Sequence, residues 1–440
     1  MNKIELVSFY DTNIKFIDGD RGENYPKRNE LKPQGDCLFL NTGNVTKSGF
    51  DFSETQFISS VKDDQLRNGK VSKNDIVMTT RGTVGNVAFV DENVPFSSIR
   101  INSGMVIIRC EEKYSPYFLY SFFRSNLFKQ QCLNQGSGSA QPQLPISTLK
   151  SIKFPNFELK QQVKIAKIIK NIDEYILINN KISKLLNTLI QKIFNFWFVD
   201  YNFPNDLGKP FKLSQGKIIY DEIMKRYIPE NWKIETLNNI AEIVGGATPS
   251  TKDSSNFTTN GIPWITPNDL SNNKNNIYIS KGATDITEKG FKSASLKMYP
   301  KNTVLLSSRA PIGYMAIADN EVTTNQGFKS FVPSKGYSCY FIFCIINSNL
   351  NVIKQSASGS TFKEISGSVL KSIRVVLPPR TLVEKFDVIV APMFKKQNFL
   401  EEQNQRLERL RDWILPMLMT GQISIRDAEE HIGKTFEQNE

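Results

Sequence analysis

Histidine occurs once in this sequence, as His431 near a polar C-terminal tail, so histidine catalysis and histidine-rich metal sites are close to excluded. The five cysteines (37, 110, 132, 339 and 344) are odd in number and contain no CxxC pair, which points to reduced, mostly buried thiols. The longest apolar run, Tyr340 to Ile346, is far too short to span a bilayer. The N-terminus carries Glu5 and Asp11 and lacks a signal-peptide pattern, so no membrane association and a cytoplasmic location are expected. No GxxxxGK[ST] loop for ATP is present, and Gly136-Ser137-Gly138-Ser139-Ala140-Gln141 lacks the third glycine of a dinucleotide loop. Leu377-Pro378-Pro379-Arg380 has neither the amide or acid nor the aromatic of an adenine-methylating motif. What the chain has instead is positive charge. It carries 55 Lys and Arg against 44 Asp and Glu, a net charge of +11. That surplus suits a polyanionic partner without proving one.

The most ordered pattern is one stretch, roughly Leu159 to Phe198. Ile165, Ile169, Ile172, Ile176, Asn179, Ser183, Leu186, Ile190 and Ile193 follow one another at alternating steps of four and three, the seam of a coiled coil. Only Asn179 and Ser183 interrupt its apolar character, and no Pro or Gly falls between Asn156 and Pro204. About 40 residues at a helical rise give a rod of about 60 Å, which needs a partner. Leu382 to Thr420 offers one through Phe386, Val390, Met393, Leu400, Leu407, Leu410, Ile414 and Met417, with Gln397, Asn404 and Arg411 on the same seam. Pro392 should kink this second helix or delay its start.

The rest of the chain repeats. Lys73 to Gly85 aligns with Lys301 to Gly313, pairing Asn74 with Asn302, Arg81 with Arg309 and Gly85 with Gly313, each 228 positions apart. Gly138-Ser139 matches Gly359-Ser360, and Leu149-Lys150-Ser151-Ile152 is identical to Leu370-Lys371-Ser372-Ile373, both at 221. In each copy, short strands bounded by Gly, Asn and Asp turns lead to a helix, expected at Tyr117 to Gln131 in the first. A Gly/Ser loop, a last strand and a proline then precede the long helix. The sequence therefore predicts an α+β protein made of two copies of domain plus long helix. Paired antiparallel as a coiled coil, the helices would relate the copies by a pseudo-two-fold axis and act as a ruler between two similar heads. Duplex DNA, whose half-sites recur about every 34 Å, has a matching periodicity.

Four segments carry a family resemblance. They are Ile17 to Pro26 followed by Cys37 to Thr42; Phe194-Asn195-Phe196-Trp197-Phe198-Val199-Asp200-Tyr201; Ile228 to Trp232 with Gly245 to Ser250 and Ile262 to Leu270; and Thr324 to Phe328. Together and in order they resemble the specificity (S) subunit of a type I restriction-modification enzyme, over nearly the whole chain except the tail after about Ile425. The resemblance implies two tandem target-recognition domains that read the two halves of a split DNA sequence. It also implies helices that space them and dock two methyltransferase (modification) subunits, within a complex that includes restriction (motor and nuclease) subunits. Such a subunit is itself non-catalytic and needs no cofactor; S-adenosylmethionine, ATP and Mg2+ belong on the partner subunits. The expected domains are 1–155 for the first recognition domain, 156–200 for the central helix, 201–227 for a connector, 228–380 for the second recognition domain, 381–421 for the C-terminal helix and 422–440 for a polar tail. The first domain lacks the Gly-Gly-x-Thr-Pro-Ser of the second, so the two should recognise different half-sites.

Candidate DNA contacts follow from the repeat. Arg81 and Arg309 share a strand-to-turn motif and could fork onto guanine or grip a phosphate, or serve as structural arginines. The loops 136–143 and 356–363 offer Gln141, Gln143, Thr361 and Lys363, polar tips that differ between copies, with Ser360 beside them, or they form plain turns. Asn268 and Asp269, and more weakly Thr42, Asn44 and Lys47, could touch bases or cap turns; Asn325 and Gln326 lean towards fold. Phe194, Phe196, Trp197, Phe198 and Tyr201 could dock a methyltransferase subunit or pack the end of the helix, with Trp413 as a further docking candidate. Two rival functions remain. One is a stand-alone restriction endonuclease with built-in recognition domains, for which Asp91 with Glu111-Glu112-Lys113 would have to bind metal. The other is a coiled-coil scaffold with no DNA role.

Overall fold

A computed structural model describes residues 4–134, 143–273, 276–359 and 363–437. Contacts divide the chain into two units, Met1–Ile176 with Gln405–Glu440, and Leu177–Asn404. The division cuts both long helices, so each unit owns one mixed α+β head and one stretch of each helix, rather than a head with the helix that follows it.

In the first unit the chain opens on a short strand, Leu6–Ser8, that pairs antiparallel with Lys153–Pro155 and so closes the head at the start of the long helix. Between them lies an antiparallel sheet in the order Lys15–Asp18, Met105–Arg109, Ile76–Thr79, Val87–Phe89. A second sheet pairs Cys37–Leu40 antiparallel with Phe57–Ile58 and parallel with Ile99–Ile101. The central strands read as unbroken apolar runs because both their faces are buried, as at Ile76, Val77, Met78, Val106 and Ile107. The helix expected from Tyr117 to Gln131 is two helices, Pro116–Arg124 and Asn126–Asn134. Ser125 breaks it: its hydroxyl donates to the Phe122 carbonyl at 2.6 Å and accepts from the Phe128 amide, ending one helix and capping the next.

The second unit repeats this plan. Lys233–Thr236 pairs with Arg374–Leu377 as the closing ladder. A five-stranded sheet runs Glu242–Gly245, Lys329–Val332, Val304–Leu306, Met315–Ala318, Tyr278–Ile279, and a smaller sheet contains the parallel pair Ile262–Ile265 and Thr323–Thr324. The equivalence extends to backbone strain. Asn74 and Asn302 take φ of 68° and 72°, and Gly85 and Gly313 take 86° and 107°, the left-handed region in which Asn and Gly cost least. The segment before it, from 201, is not a bare connector: Ile218–Asp221 and Arg226–Pro229 form a β-hairpin.

The central helix spans Leu159–Phe194 and widens into a π-helical turn at Asn195–Val199. The distal helix spans Arg380–Thr420. It starts at Arg380 and runs through Pro392, so its start is not delayed; Pro392 is exposed while Val390 and Phe394 beside it are fully buried, and that packing outweighs the missing amide donor. The nine seam positions of the central helix are all buried or half-buried. Pairing is antiparallel in each unit. In the first, Ile172 and Ile176 cluster with Leu407, and Asp173 meets Arg411 at 2.9 Å. In the second, the polar interruptions pair with one another, apart from the Gln397 side-chain oxygen, which is buried without a hydrogen-bond partner among the described residues. Asn179 donates to Gln403 (2.8 Å) and Asn404 (2.9 Å), Asn404 donates to Asn180 (2.8 Å), and Gln397 donates to the Ser183 carbonyl (3.0 Å). A buried amide layer of this kind is stabilising only when its members find each other, and it then penalises other registers.

The expected polar tail is a helix, Ile425–Glu437. Gly421, at φ 69°, ends the distal helix; Ser424 then caps the next one, its hydroxyl accepting from the Asp427 amide at 3.1 Å and donating to the Asp427 carboxylate at 2.7 Å. Ala428 is fully buried, and Ile425 and Ile432 pack on the first unit's core. No helix among the described residues is long and apolar enough to cross a membrane.

Candidate nucleic-acid interface

In each head, three turns at the ends of the strands and one bridging segment are brought together by matching hydrogen bonds and close backbone packing. In the first head the Thr79 hydroxyl donates to the Thr83 carbonyl and accepts from the Asn86 amide, folding the turn that carries Arg81. In the second, the Ser307 hydroxyl donates to the Pro311 carbonyl (2.7 Å) and accepts from the Tyr314 amide (2.8 Å), folding the turn that carries Arg309. Next to each lies a tight Asn-x-Gly turn: Asn102 accepts from the Gly104 amide, and Asn325 from the Gly327 amide, both at 2.9 Å. Thr80 donates to Gly104 and Ser308 to Gly327 through their backbones. The turn that follows Lys15–Asp18 in the first head and Glu242–Gly245 in the second packs flat on this one, since a side chain at Gly19 would strike the Asn102 carbonyl and one at Gly246 would strike those of Thr324 and Asn325. The strand entering from the Gly/Ser loop completes the rim: Gln143 bridges Arg81, and Glu364 bridges Arg309.

The first rim is a shallow cleft of about 230 Å³ lined by Asp18, Arg21, Thr80, Arg81, Gln143, Leu144, Pro145 and Ile146. Arg21 is held by Asp18 at 2.9 Å and also donates to the Ser103 carbonyl. Arg81 and Gln143 are exposed. Half-buried Thr42 packs at the edge of this rim, against Gly82 and Gly104. Lys47 is exposed on the hairpin of Val45–Thr46 and Gly49–Phe50. In the second rim Arg309 faces Glu364 at 3.6 Å, and Lys329 stands 3.8 Å from the other carboxylate oxygen. Asn268 and Lys363 are exposed. Gln141, Ser360 and Thr361 lie outside the described residues.

Two expected DNA contacts are spoken for by the fold. Asn44 is 3% exposed; its carbonyl oxygen accepts from the Asn41 amide and its amide donates to the carbonyls of Asp51 and Glu54. Asp269 is 9% exposed and accepts from the amide and hydroxyl of Thr266 and the amide of Ala283. They are equivalent caps in the two heads, with no free acceptor aimed outward. Asn325 likewise caps its own turn, and Gln326 bonds to Thr248. Arg21, Thr248 and Glu364 were missed. The repeat could have found Glu364, because the 221-residue offset that aligns the two Gly-Ser pairs also aligns Gln143 with Glu364.

The aromatic exit of the central helix is mostly core. Phe194, Trp197, Phe198 and Tyr201 are at most 8% exposed and pack with Trp232, Phe341 and Phe386, so a docking role for these four is replaced by packing. Phe196 is 42% exposed beside an open groove of about 470 Å³ lined by Lys192, Ile193, Asn195, Trp197 and Asp200. Trp413 is also exposed, with its ring against His431. Asp91, the acid of the nuclease rival, accepts from the amide and side chain of Asn93 in its own turn.

Two copies of one α+β head, each packed on a stretch of paired long helix and each ending in a rim of polar turns, define a tandem recognition-module protein. A family model described as Type I restriction modification DNA specificity domain matches residues 17–188 and 229–409, and the chain belongs to that family. It is 39% identical over 197 residues to the specificity subunit of the type I restriction enzyme MjaIX of Methanocaldococcus jannaschii, a match covering 43% of this chain and 45% of that protein. It is 24% identical over 465 residues to the HindI specificity subunit of Haemophilus influenzae, covering 92% of this chain and 98% of the relative. The crystal structure of a type I restriction-modification S subunit from M. genitalium shares the fold, with a TM-score of 0.54 at 15% identity over 95% of this chain and 97% of that one.

Proposed function

We propose that this chain is the non-catalytic, sequence-reading subunit of a type I restriction-modification complex. Each head reads one half of a split duplex DNA target through its rim, and the net charge of +11 supplies salt-dependent affinity for the backbone. The observation that carries this reading is that the family match falls twice, once on each head with its adjoining helix. Among the expected DNA contacts, Arg81, Gln143, Thr42 and Lys47 in the first head and Asn268, Arg309 and Lys363 in the second stay candidates. Two methyltransferase subunits are the expected partners, docked along the paired helices with exposed Phe196 and Trp413 as candidate contacts; restriction subunits would join them. S-adenosylmethionine, ATP and Mg2+ would be bound by those partners, and the complex would work in the cytoplasm, where the DNA is. Neither an endonuclease of its own nor a scaffold without DNA finds support in the family match.

The test is genome-wide detection of methylated bases in cells expressing the chain with and without a cognate methyltransferase subunit. A split motif that appears only with both is expected. Replacing the first head should then change only one half of that motif. No motif from a stable co-purifying complex would remove the proposed function.

A further inference from the structure

The two rims are built alike and charged differently. Arg81 and Arg309 occupy the same place in the same turn, each bridged by the strand that enters from the Gly/Ser loop. At the bridging position the first head has Gln143 and the second has Glu364. The Glu364 carboxylate stands 3.6 Å from Arg309 and partly offsets its charge, and Lys329, 3.8 Å from the other oxygen, completes a three-residue cluster. In the first head the neutral amide offers no countercharge. The carboxylate of Asp18 lines the same cleft, but it is taken up by Arg21 and the Gly19 amide. The Arg81 guanidinium has no ion pair or hydrogen bond to another described residue, and it is exposed at the cleft wall.

We infer that Arg81, and not its counterpart Arg309, makes the charged contact of its rim with DNA, and that residue 143 or 364 decides this in each head. The inference rests on the functional reading above and deepens it. An unpaired guanidinium offers a rigid fork of donors to a pair of acceptors. Two sources on DNA present them: the O6/N7 edge of guanine and the oxygens of a phosphate. Arg309 already has Glu364 as a countercharge at 3.6 Å, and a DNA contact there would have to compete with that carboxylate and bring the two negative groups together. The second head must then read its half-site with other groups, which agrees with the expectation that the half-sites differ.

The experiment uses the full chain, co-purified with a methyltransferase subunit, on a duplex carrying the motif found by methylation mapping. Affinity is measured against salt, and the motif is remapped for Arg81→Ala, Arg309→Ala, Gln143→Glu and Glu364→Gln. Arg81→Ala should weaken binding about 10- to 100-fold if the acceptor is guanine, with relaxed choice at one base of one half-site. If the acceptor is a phosphate, the loss is uniform across sequences and the salt slope falls by about 1. Gln143→Glu keeps the arginine but gives it a partner, and should reproduce that loss. Glu364→Gln releases Arg309 and should steepen the salt slope. Arg309→Ala should leave affinity within about twofold. Because the two residue-143/364 variants remove no arginine, they decide the matter even if Arg81→Ala does not fold. Unchanged affinity, slope and motif in either Arg81→Ala or Gln143→Glu would overturn the inference, as would an equal loss in Arg309→Ala. A wild-type complex that binds no duplex would instead bring down the functional reading on which the inference stands.

Discussion

The two heads meet their long helices through equivalent junctions of opposite chemistry. In the first unit Asp173 of the central helix lies between Arg124 of the head (2.6 Å) and Arg411 of the distal helix (2.9 Å), and also accepts from the Tyr117 hydroxyl at 2.7 Å. Arg124 further covers the Tyr120 ring at 4.8 Å. The capping serines Ser115 and Ser338 align the two head helices, and the Leu-Lys-Ser-Ile repeats align the two long ones. On that alignment Tyr117, Tyr120, Asp173 and Arg411 correspond to Tyr340, Phe343, Phe394 and Ile190. In the second unit these residues are an aromatic stack, with Tyr340 on Phe394 at 4.8 Å, Phe343 edge-on at 5.9 Å, and Ile190 fully buried in the same core. One architecture thus tolerates either solution. An ion cluster needs every charge matched, whereas an apolar stack needs only volume and shape.

The comparison is broken most directly at its two centres. Asp173→Ala takes from buried Arg124 its carboxylate partner and leaves Arg411 only Asp412, at 3.1 Å, and should cost about 3 kcal/mol, read by denaturant unfolding. Phe394→Ala should cost a similar amount, about 3–5 kcal/mol, by leaving a cavity instead. A result under about 1 kcal/mol for either would show that the junction is not where that unit is held.

Acid and base should separate the units next. Burial works against the charge of Asp173, but Arg124, Arg411 and Tyr117 outweigh it and hold its carboxyl below the ordinary range. Its folded pKa is depressed, so its stabilisation is present above about pH 4 and is lost as pH falls through the folded value. In the second unit burial pushes Glu401 up to about 8, although it accepts from the amides of Ile277 (2.7 Å) and Tyr278 (2.9 Å). There the folded state binds a proton that the unfolded chain releases, so stability falls as pH rises from about 4.5 to about 8, with a slope of at most about 1.4 kcal/mol per pH unit. The first unit should therefore weaken in acid and the second towards base. Hydrogen exchange resolved by unit across pH 3–9 checks this, and Glu401→Gln should flatten the second unit's alkaline slope.

A smaller effect sharpens the same contrast. Converting the ionic junction towards the apolar one, by Arg124→Asn with Asp173→Phe and Arg411→Ile, should change stability by no more than about 2 kcal/mol in either direction, because the buried charges go together and the carboxylate that loses Arg411, Asp412, is exposed to water. A loss as large as that of Asp173→Ala alone would mean that the cluster supplies more than packing can. The smallest expected change is Ser424→Ala, which removes one helix cap and should cost about 1 kcal/mol in thermal unfolding.

Much of this was legible in the chain, because periodicity and repetition are properties of order along it. The alternation of four and three from Ile165 to Ile193 reports which face is buried, and the Asn74/Asn302 and Gly85/Gly313 pairs recur because the same turn needs left-handed backbone twice. The last helix was also within reach: Ser424-x-x-Asp427 is a start signal, and Ile425, Ala428 and Ile432 keep helical spacing. The polar composition of 422–440 masks that pattern. Which polar residues face outward was not legible. Asn44 and Asn268 read alike as candidate contacts, yet one caps a buried turn while the other is exposed.

Sequence alone determined that there are two heads, two long helices and a net positive charge, since repeats, seams and charge need no partner to be seen. Tertiary structure alone decided who meets whom. It joined Asn179 to Asn404 and Asp173 to Arg411 across more than 200 residues, and buried Trp197 while leaving Phe196 exposed. It also set Gln143 beside one arginine and Glu364 beside the other. The physical reason is that a side chain's charge and hydrogen bonds are settled by its neighbours in space, and those are chosen by packing rather than by position along the chain.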